Sequence, residues 1–468
     1  MGRLQGLILA AGHGTRMKSD VLKVLHPVMG VPMLALVVDA VCEAGIERPA
    51  IVIGHQGERV RETLGDHVEY VVQEEQKGTG HAVSVAAESL RDFDDVLILY
   101  GDTPLVTAEM IEALTRRHHQ GRAAATLLTA VVEDPSGLGR VIRDSRGEFV
   151  GIVEEADASH AEAAIGEINT AIACFNVAHL LECLPKIRAD NVQGEYYLPD
   201  VFPLLLEKGQ TVQTVQADDP MMVMGVNNRR GLALANEILR ERILDRLMDG
   251  GVTVVDPHTT WVHPDARIGR DTTLAPFTTI EGPCSIGSHC HLGPMAHLIE
   301  SRLGDNVRVL HSVVEASDLA DGVEIGPYAH LRPDNVLGPG VRVGNFAELK
   351  NAHLGANTKV PHHAYLGDAR VGDNVNIGAG AITVNYDGEA KHQTQIDEGS
   401  FIGCNSNLLA PVTVGRGGFV AAGSTINEDV PPGGLGIARQ KQRNVENWVS
   451  RRFSSSLEQN RKDEKRDT

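Results

Sequence analysis

The chain is poor in aromatic residues, which make up 4% of its 468 positions and include only two Trp. Glycine, by contrast, reaches 49 residues, so a large part of the chain must pack small residues into tight turns around an aliphatic core. Positive charge is also scarce, with 43 Lys plus Arg against 62 Asp plus Glu and a net charge of -19. That balance excludes a general nucleic-acid coat but leaves room for phosphate ligands, which need only a few local cations and backbone amides. No run approaches the roughly eighteen apolar residues of a membrane-spanning helix, and no membrane partner is expected. The opening MGRLQGLILAAGHG is too short in apolar length for a secretory signal, and Gly6 breaks the myristoylation pattern. Cys42, Cys174, Cys183, Cys284, Cys290 and Cys404 form no CxxC pair. They read as buried thiols in a reducing cytoplasm rather than as a disulfide frame or zinc knuckle.

What is present falls into two textures, as expected of a chain long enough for several domains. Up to about Val226, aliphatic strands at Gly6–Ala10, Ala50–Gly54, Glu69–Gln73 and Val96–Tyr100 alternate with helical patterns at Met33–Ala44, Gly80–Leu90 and Ala108–His119. This alternation predicts an α/β domain with a mainly parallel sheet, whose ligands gather outside the carboxyl ends of the strands. Asn228–Asp249, with Leu232, Ala235, Leu239, Ile243 and Leu247 at spacings of three and four, predicts one long connecting helix stopped by Gly250-Gly251.

The second texture is a beat of six. Aliphatic residues fall at Val262, Ile268, Leu274, Ile280, Ile286, Leu292 and Leu298, again from Ile325 to Leu349, and again from Ile402 to Ile426. A hexapeptide repeat builds a left-handed parallel β-helix in which each side of a triangular coil takes one hexapeptide and its aliphatic residue points inward. The beat breaks at Val384–Gln395, which is expected to loop out of the coil and to carry function. The expected domains are therefore 1–227, a helical linker 228–250, the β-helix 251–440 and a polar tail 441–468, disordered from about Ser454.

In the first domain a strand runs into LAAGHGTRM, where Gly12 and Gly14 open backbone amides and Arg16 and Lys23 bring charge. A triphosphate needs such donors and cations. Met17 stands where a dinucleotide fingerprint needs Gly, and no Gly-Lys-Ser/Thr follows as a P-loop requires. Asp102 ends the strand VLILYGD at the ligand-bearing edge, where a hard oxygen suits magnesium or, more blandly, caps the next helix.

These residues resemble the nucleotide-sugar pyrophosphorylase family. GTGHA at Gly78–Ala82, YGDTP from Tyr100, GLGR from Gly137, GEYY from Gly194 and GVNN from Gly225 extend the match. With the repeats attached, residues of roughly 5 to 440 resemble the bacterial bifunctional N-acetylglucosamine-1-phosphate uridylyltransferase/glucosamine-1-phosphate N-acetyltransferase family. The resemblance implies Mg²⁺ on Asp102 and Asn227, and UTP held by Leu9, Ala10, Ala11, Gly12, Gln73, Gly78 and Thr79. It implies the N-acetylglucosamine part near Gly139, Glu154 and Asn169, further UDP-N-acetylglucosamine contacts from Lys23, Tyr100 and Gly101, and Arg16 and Lys23 on the leaving pyrophosphate. Leu22 replaces a proline before the lysine and Pro199 a threonine after GEYY.

Acetylating an amine needs a base and oxyanion donors, and histidine suits the base. Among many histidines, His362 in KVPHHAYLGDA fits the family spacing to Tyr365, with His363 as fallback and Pro361 as a departure. By resemblance Glu348 assists it, Arg332 and Lys350 grip a sugar phosphate, and Tyr365, Asn376, Asn385 and Tyr386 bind the amino sugar, with Asn385 close to the reacting acetyl group. Ala379, Cys404, Ala422 and Arg439 match acetyl-CoA positions. The expectation is a cytoplasmic homotrimer acting on glucosamine-1-phosphate, N-acetylglucosamine-1-phosphate, UTP and acetyl-CoA. The alternative is a single nucleotidyltransferase activity with the β-helix as a trimerisation scaffold.

Overall fold

The computed structural model describes residues 2–12 and 14–453. The expected disordered tail from Ser454 lies outside these residues. The chain divides into two compact units, Met1–Arg267 with Thr279–Cys284, and Ile268–Thr278 with Ser285–Thr468.

In the first unit the strands order as Val212–Gln216, Ala125–Val131, Glu167–Asn176, Asp95–Tyr100, Leu4–Leu9, Ala50–Ile53 and Glu69–Val72. Glu167–Asn176 runs antiparallel to both neighbours, and the neighbouring pairs on either side of it are parallel. Alternation along the first strand explains how both faces are buried. Leu7 and Leu9 pack with Val83, Leu180 and Val201 on one side, while Ile8 and Ala10 pack with Leu34, Val37 and Leu114 on the other. Leu9 pairs with Tyr100, so the loops after both strands leave the sheet at one edge.

The helical stretch expected over Gly80–Leu90 is interrupted at Ala86, giving Thr79–Val85 and Ala87–Leu90. The long helix is Arg229–Asp249; the Asn228 side chain caps it, accepting from the amides of Arg230 and Gly231. Ala235, Leu239, Ile243 and Leu247 are buried as the spacing requires, joined by Leu244 and by Arg240, whose guanidinium stacks on Trp261 and donates to His258 O.

The second unit is the β-helix, with short parallel strands stacked into three sheets. Leu292, Val309, Ile325, Val343 and Val360 are successive rungs of one inner column and are all buried. Where a coil drops a residue or two at a corner, as between Leu292, Val309 and Ile325, the beat of six slips while the register holds. The few rings here sit outside: Tyr328 and Phe346 stack at exposed corners, as do Phe401 and Phe419 on an outer face. Three expectations need correction. The extruded loop is shorter than Val384–Gln395, because Ile382–Val384 and Thr394–Ile396 are both coil strands. Cys404 is exposed at an outward corner, and Cys42 is only partly covered, although all six cysteines are free. Ile268 is only partly buried, because Arg267–Ile268 is the first strand of its sheet and has a rung on one side only.

Candidate active sites

The first site is a cleft of about 640 Å³ at the strand edge of the first unit. Its floor and one wall come from Leu9–Gly12, followed by Gly14, Thr15 and Arg16. Gly14 sits at φ 61, and a Cβ there would overlap the Lys23 side chain, so the loop closes this tightly only with glycine. Lys23, Gln73, Gly78, Thr79, Tyr100, Asp102 and Asn227 line the rest. Gly78 takes φ 105 against the GEYY segment, whose Tyr196 O accepts from Gly80 N at 2.8 Å; Leu198 N donates to Thr79 Oγ1 at 3.0 Å.

The Lys23 ammonium lies between two side-chain oxygens, forming an ion pair with Asp102 Oδ2 and donating to Asn227 Oδ1 at 2.6 Å. Arg16 Nη2 donates to the same Asn227 oxygen at 2.9 Å. Two hard oxygens thus converge on a cation, which is what a magnesium ion needs from protein before phosphates and water complete its shell. Among the described residues no group of three or more His, Cys, Asp or Glu could hold a metal alone.

Gly139, Glu154 and Asn169 form a neighbouring cluster. Arg140 is 2% exposed and clamps Leu138 O and Ala163 O, fixing Gly139 against Glu154. Asn169 N donates to Gly139 O, and a register shift after Asn169, with Ala171 at φ 65, holds the asparagine in place. Burial pushes the Glu154 carboxyl up, and Asp157 and Asp200 add to it. Burial also raises the Tyr100 hydroxyl, with Glu154 and Asp102 contributing. Asp200 is pushed up to about 6 by burial, Asp190 and Asp157. The region is therefore polarised, with cations at the Arg16–Lys23 end and carboxylates at the Glu154 end. Gly101 follows Tyr100 without lining the cleft. Gln76 and Gln193 line it and were missed; Gln76 Nε2 reaches Ala11 O across the chain, a contact no local pattern announces.

In the β-helix, one sheet face gathers Arg332, Glu348, Lys350, Tyr365 and Asn385. Arg332 Nη1 donates to Glu348 Oε1 at 3.1 Å, and Glu348 pairs in register with Tyr365. Gly367 faces the Tyr365 hydroxyl and the Asn385 amide, leaving no room for a Cβ. Asn385 is buried and donates to Asp368 Oδ2 at 2.6 Å, while Asn351 holds the other Asp368 oxygen. The Lys391 ammonium beside Lys350, with Arg332 next and burial last, lowers the Lys350 pKa. Lys391 and Asp368 were not singled out from sequence, although one lies on the extruded loop and the other ends YLGD. Tyr386 is exposed at the loop, donating to Gly388 O.

The other expected residues stand elsewhere on the coil. His362 is exposed, its Nδ1 is 3.0 Å from Asn345 Oδ1 one rung away, and Glu348 is engaged with Arg332 instead. Its corner continues as a column: Gly380 N bonds His363 O, Asn405 N bonds Ala379 O, Gly423 N bonds Cys404 O, and Arg439 Nη1 bonds Ala422 O at 2.8 Å. The four positions that the resemblance matches to acetyl-CoA are thus stacked. Asn376 is not brought to the Arg332–Tyr365 face; it pairs with Lys359 on another sheet and lines a groove with Arg342.

Residues 6–169 match the MobA-like NTP transferase domain, and most of the residues lining the first unit's cleft fall within that match. Over the whole length the chain is 49% identical across 452 residues to the bifunctional protein GlmU of Geobacillus sp. (strain WCH70), covering 96% of this chain and 98% of that protein. It is 49% identical to the GlmU of Shouchella clausii over 95% of this chain and 98% of the relative, and 46% identical to that of Heliobacterium modesticaldum over 97% and 100%. The chain belongs to the GlmU family of bifunctional proteins. No helix among the described residues is long and apolar enough to cross a membrane.

Proposed function

We propose that the two sites act in sequence to make UDP-N-acetylglucosamine, the β-helix by acetyl transfer and the first unit by uridylyl transfer. As a family member the chain is a bifunctional transferase. In the first step the amine of glucosamine-1-phosphate attacks the thioester carbonyl of acetyl-CoA and releases the thiol. Nδ1 of His362 donates to Asn345, which leaves the Nε2 lone pair to take the amine proton. Arg332 and Lys350, joined by Lys391, hold the sugar phosphate. Asn385, fixed by Asp368, and Tyr365 face the sugar, with Tyr386 at the loop. The Ala379–Cys404–Ala422 column offers small corners along which acetyl-CoA lies, and Arg439 meets its phosphates. Asn376, which lies off the cluster, would serve the site of a second copy in a homotrimer.

In the second step the phosphate of N-acetylglucosamine-1-phosphate attacks the α-phosphorus of UTP. Leu9–Gly12, Gln73, Gly78 and Thr79 seat the uridine, Tyr100 lines the same cleft, and Gly139, Glu154 and Asn169 seat the sugar. Arg16 and Lys23 stabilise the departing pyrophosphate. Asp102 and Asn227 would hold Mg²⁺, which neutralises phosphate charge when bound. Positioning and charge neutralisation carry the step, with no covalent work asked of the chain. Free cysteines and these substrates fit a cytoplasmic enzyme.

The observation that carries the reading is the convergence of loops from Leu9, Lys23, Gln73, Gly78, Asp102 and Asn227 on one cleft. The scaffold alternative predicts no polar constellation on the coil, and Arg332, Lys350, Tyr365 and Asn385 speak against it. The test supplies glucosamine-1-phosphate, acetyl-CoA, UTP and Mg²⁺ to the purified chain and follows free thiol and UDP-N-acetylglucosamine together. Both should appear; absence of thiol release would leave the scaffold reading standing.

A further inference from the structure

Beside the nucleotide cleft lies a second hollow of about 440 Å³, lined by Arg16, Met17, Lys18, Asn228, Arg229 and Arg230. Arg16 lines both hollows. No salt bridge among the described residues involves any of these four cations. The side-chain bonds found are to neutral partners: Arg16 to Asn227, and Arg229 Nη1 to His26 Nδ1 at 3.3 Å. In a chain of net charge -19, four cations without a carboxylate around one hollow make a concentrated positive field.

Local structure holds them there. Thr15–Met17 is a single 3-10 turn flanked by two left-handed residues, Gly14 at φ 61 and Lys18 at φ 49. Met17 is 1% exposed and anchors the turn, which fixes the backbone of Arg16 and Lys18 on either side. Opposite, Arg229 and Arg230 open the helix Arg229–Asp249. Asn228 Oδ1 already takes the amides of Arg230 and Gly231, so an anion here meets side chains rather than a free helix end.

We infer that this hollow is an outer polyphosphate subsite that receives pyrophosphate as it leaves the cleft. The inference rests on the uridylyltransferase reading. When the sugar phosphate oxygen bonds to the α-phosphorus, the bridging bond to the β-phosphate breaks, and its electron pair leaves on pyrophosphate. Lys23 is paired with the Asp102 carboxylate, whereas Arg16 meets only the neutral Asn227 and lines both hollows, so Arg16 is the cation placed to pass the anion outward to Lys18, Arg229 and Arg230. Pyrophosphate is a compact polyanion, and it suits several point charges better than the uncharged sugar ring of the other substrate does.

The test uses the full chain and the double variant Lys18→Gln/Arg230→Gln. Product inhibition by pyrophosphate, and calorimetric titration with pyrophosphate and Mg²⁺, should both weaken on the order of tenfold, since two exposed charge contacts are lost. The KM for UTP should stay within about twofold. The acetyl-transfer rate of the same preparation reports that the variant is folded. Unchanged pyrophosphate constants would overturn the inference, as would an equal rise in the UTP KM, which would assign the hollow to the incoming triphosphate. If the unmodified chain released no pyrophosphate from UTP and N-acetylglucosamine-1-phosphate, the reading of the cleft itself would fall, and the subsite with it.

Discussion

The contacts that build the nucleotide cleft join residues far apart in the chain: Thr79 with Leu198, 119 positions on, and Arg16 with Asn227, 211 positions on. Most of those in the β-helix cluster are one coil long, with Arg332 and Glu348 separated by 16 positions, and Asn345 and His362 by 17; Lys391, which reaches Lys350 from the extruded loop, is the exception. A solenoid is held by nearest-neighbour rungs, whereas an α/β sheet draws its site from loops collected across the whole domain. A change in one half should therefore stay in that half, and within the β-helix should stay near its own rung.

The sharpest way to break this contrast is Asp102→Ala. Uridylyl transfer should fall by a factor of about 10³ or more, because the Asp102 carboxylate is lost beside the phosphates, while thiol release stays within about twofold. Loss of both activities would mean that the halves are not independent. His362→Ala should do the reverse, cutting acetyl transfer by about 10² to 10⁴, whereas His363→Ala should have little effect, as measured by thiol release alongside pyrophosphate release. Leu331→Ala removes a fully buried rung and should cost about 2–5 kcal/mol. Calorimetry should show the β-helix transition lowered, with the uridylyl rate at 25 °C unaltered.

The smallest effect concerns Asp200. Burial, with Asp190 and Asp157 nearby, pushes its carboxyl up to about 6 from the ordinary value of about 3.9. The native state then binds the extra proton between those values, so stability rises as pH falls from about 6 toward 4, and the full penalty is present above 6. Asp200→Asn should raise the melting temperature by a few degrees at pH 7.5 and by less at pH 4.5. An equal rise at both values would assign the gain to packing rather than charge.

Legibility followed the same division. The inner column of the β-helix could be read by counting, because every aliphatic residue on the six-residue beat except Ile268 is buried by its neighbours above and below. Counting failed where coils shorten: Asn345, the partner of His362, sits on the adjacent rung but at no multiple of six. In the first unit GxG, the Asp102 strand end and GTGHA were legible as local chemistry. Gln76 on Ala11 O and Gln193 in the cleft were not, since nothing near them in sequence marks their targets.

By itself the sequence determined the solenoid, the α/β alternation and which short motifs carry charge toward phosphates, because periodicity and turn chemistry act over a few residues. Only the tertiary structure decided that Lys23 rests between Asp102 and Asn227, that Arg16 lines two hollows, and that Asn376 lies off the acetyl cluster. Those are distances between segments, and they exist only once the sheet has gathered its loops and the coils have set their lengths.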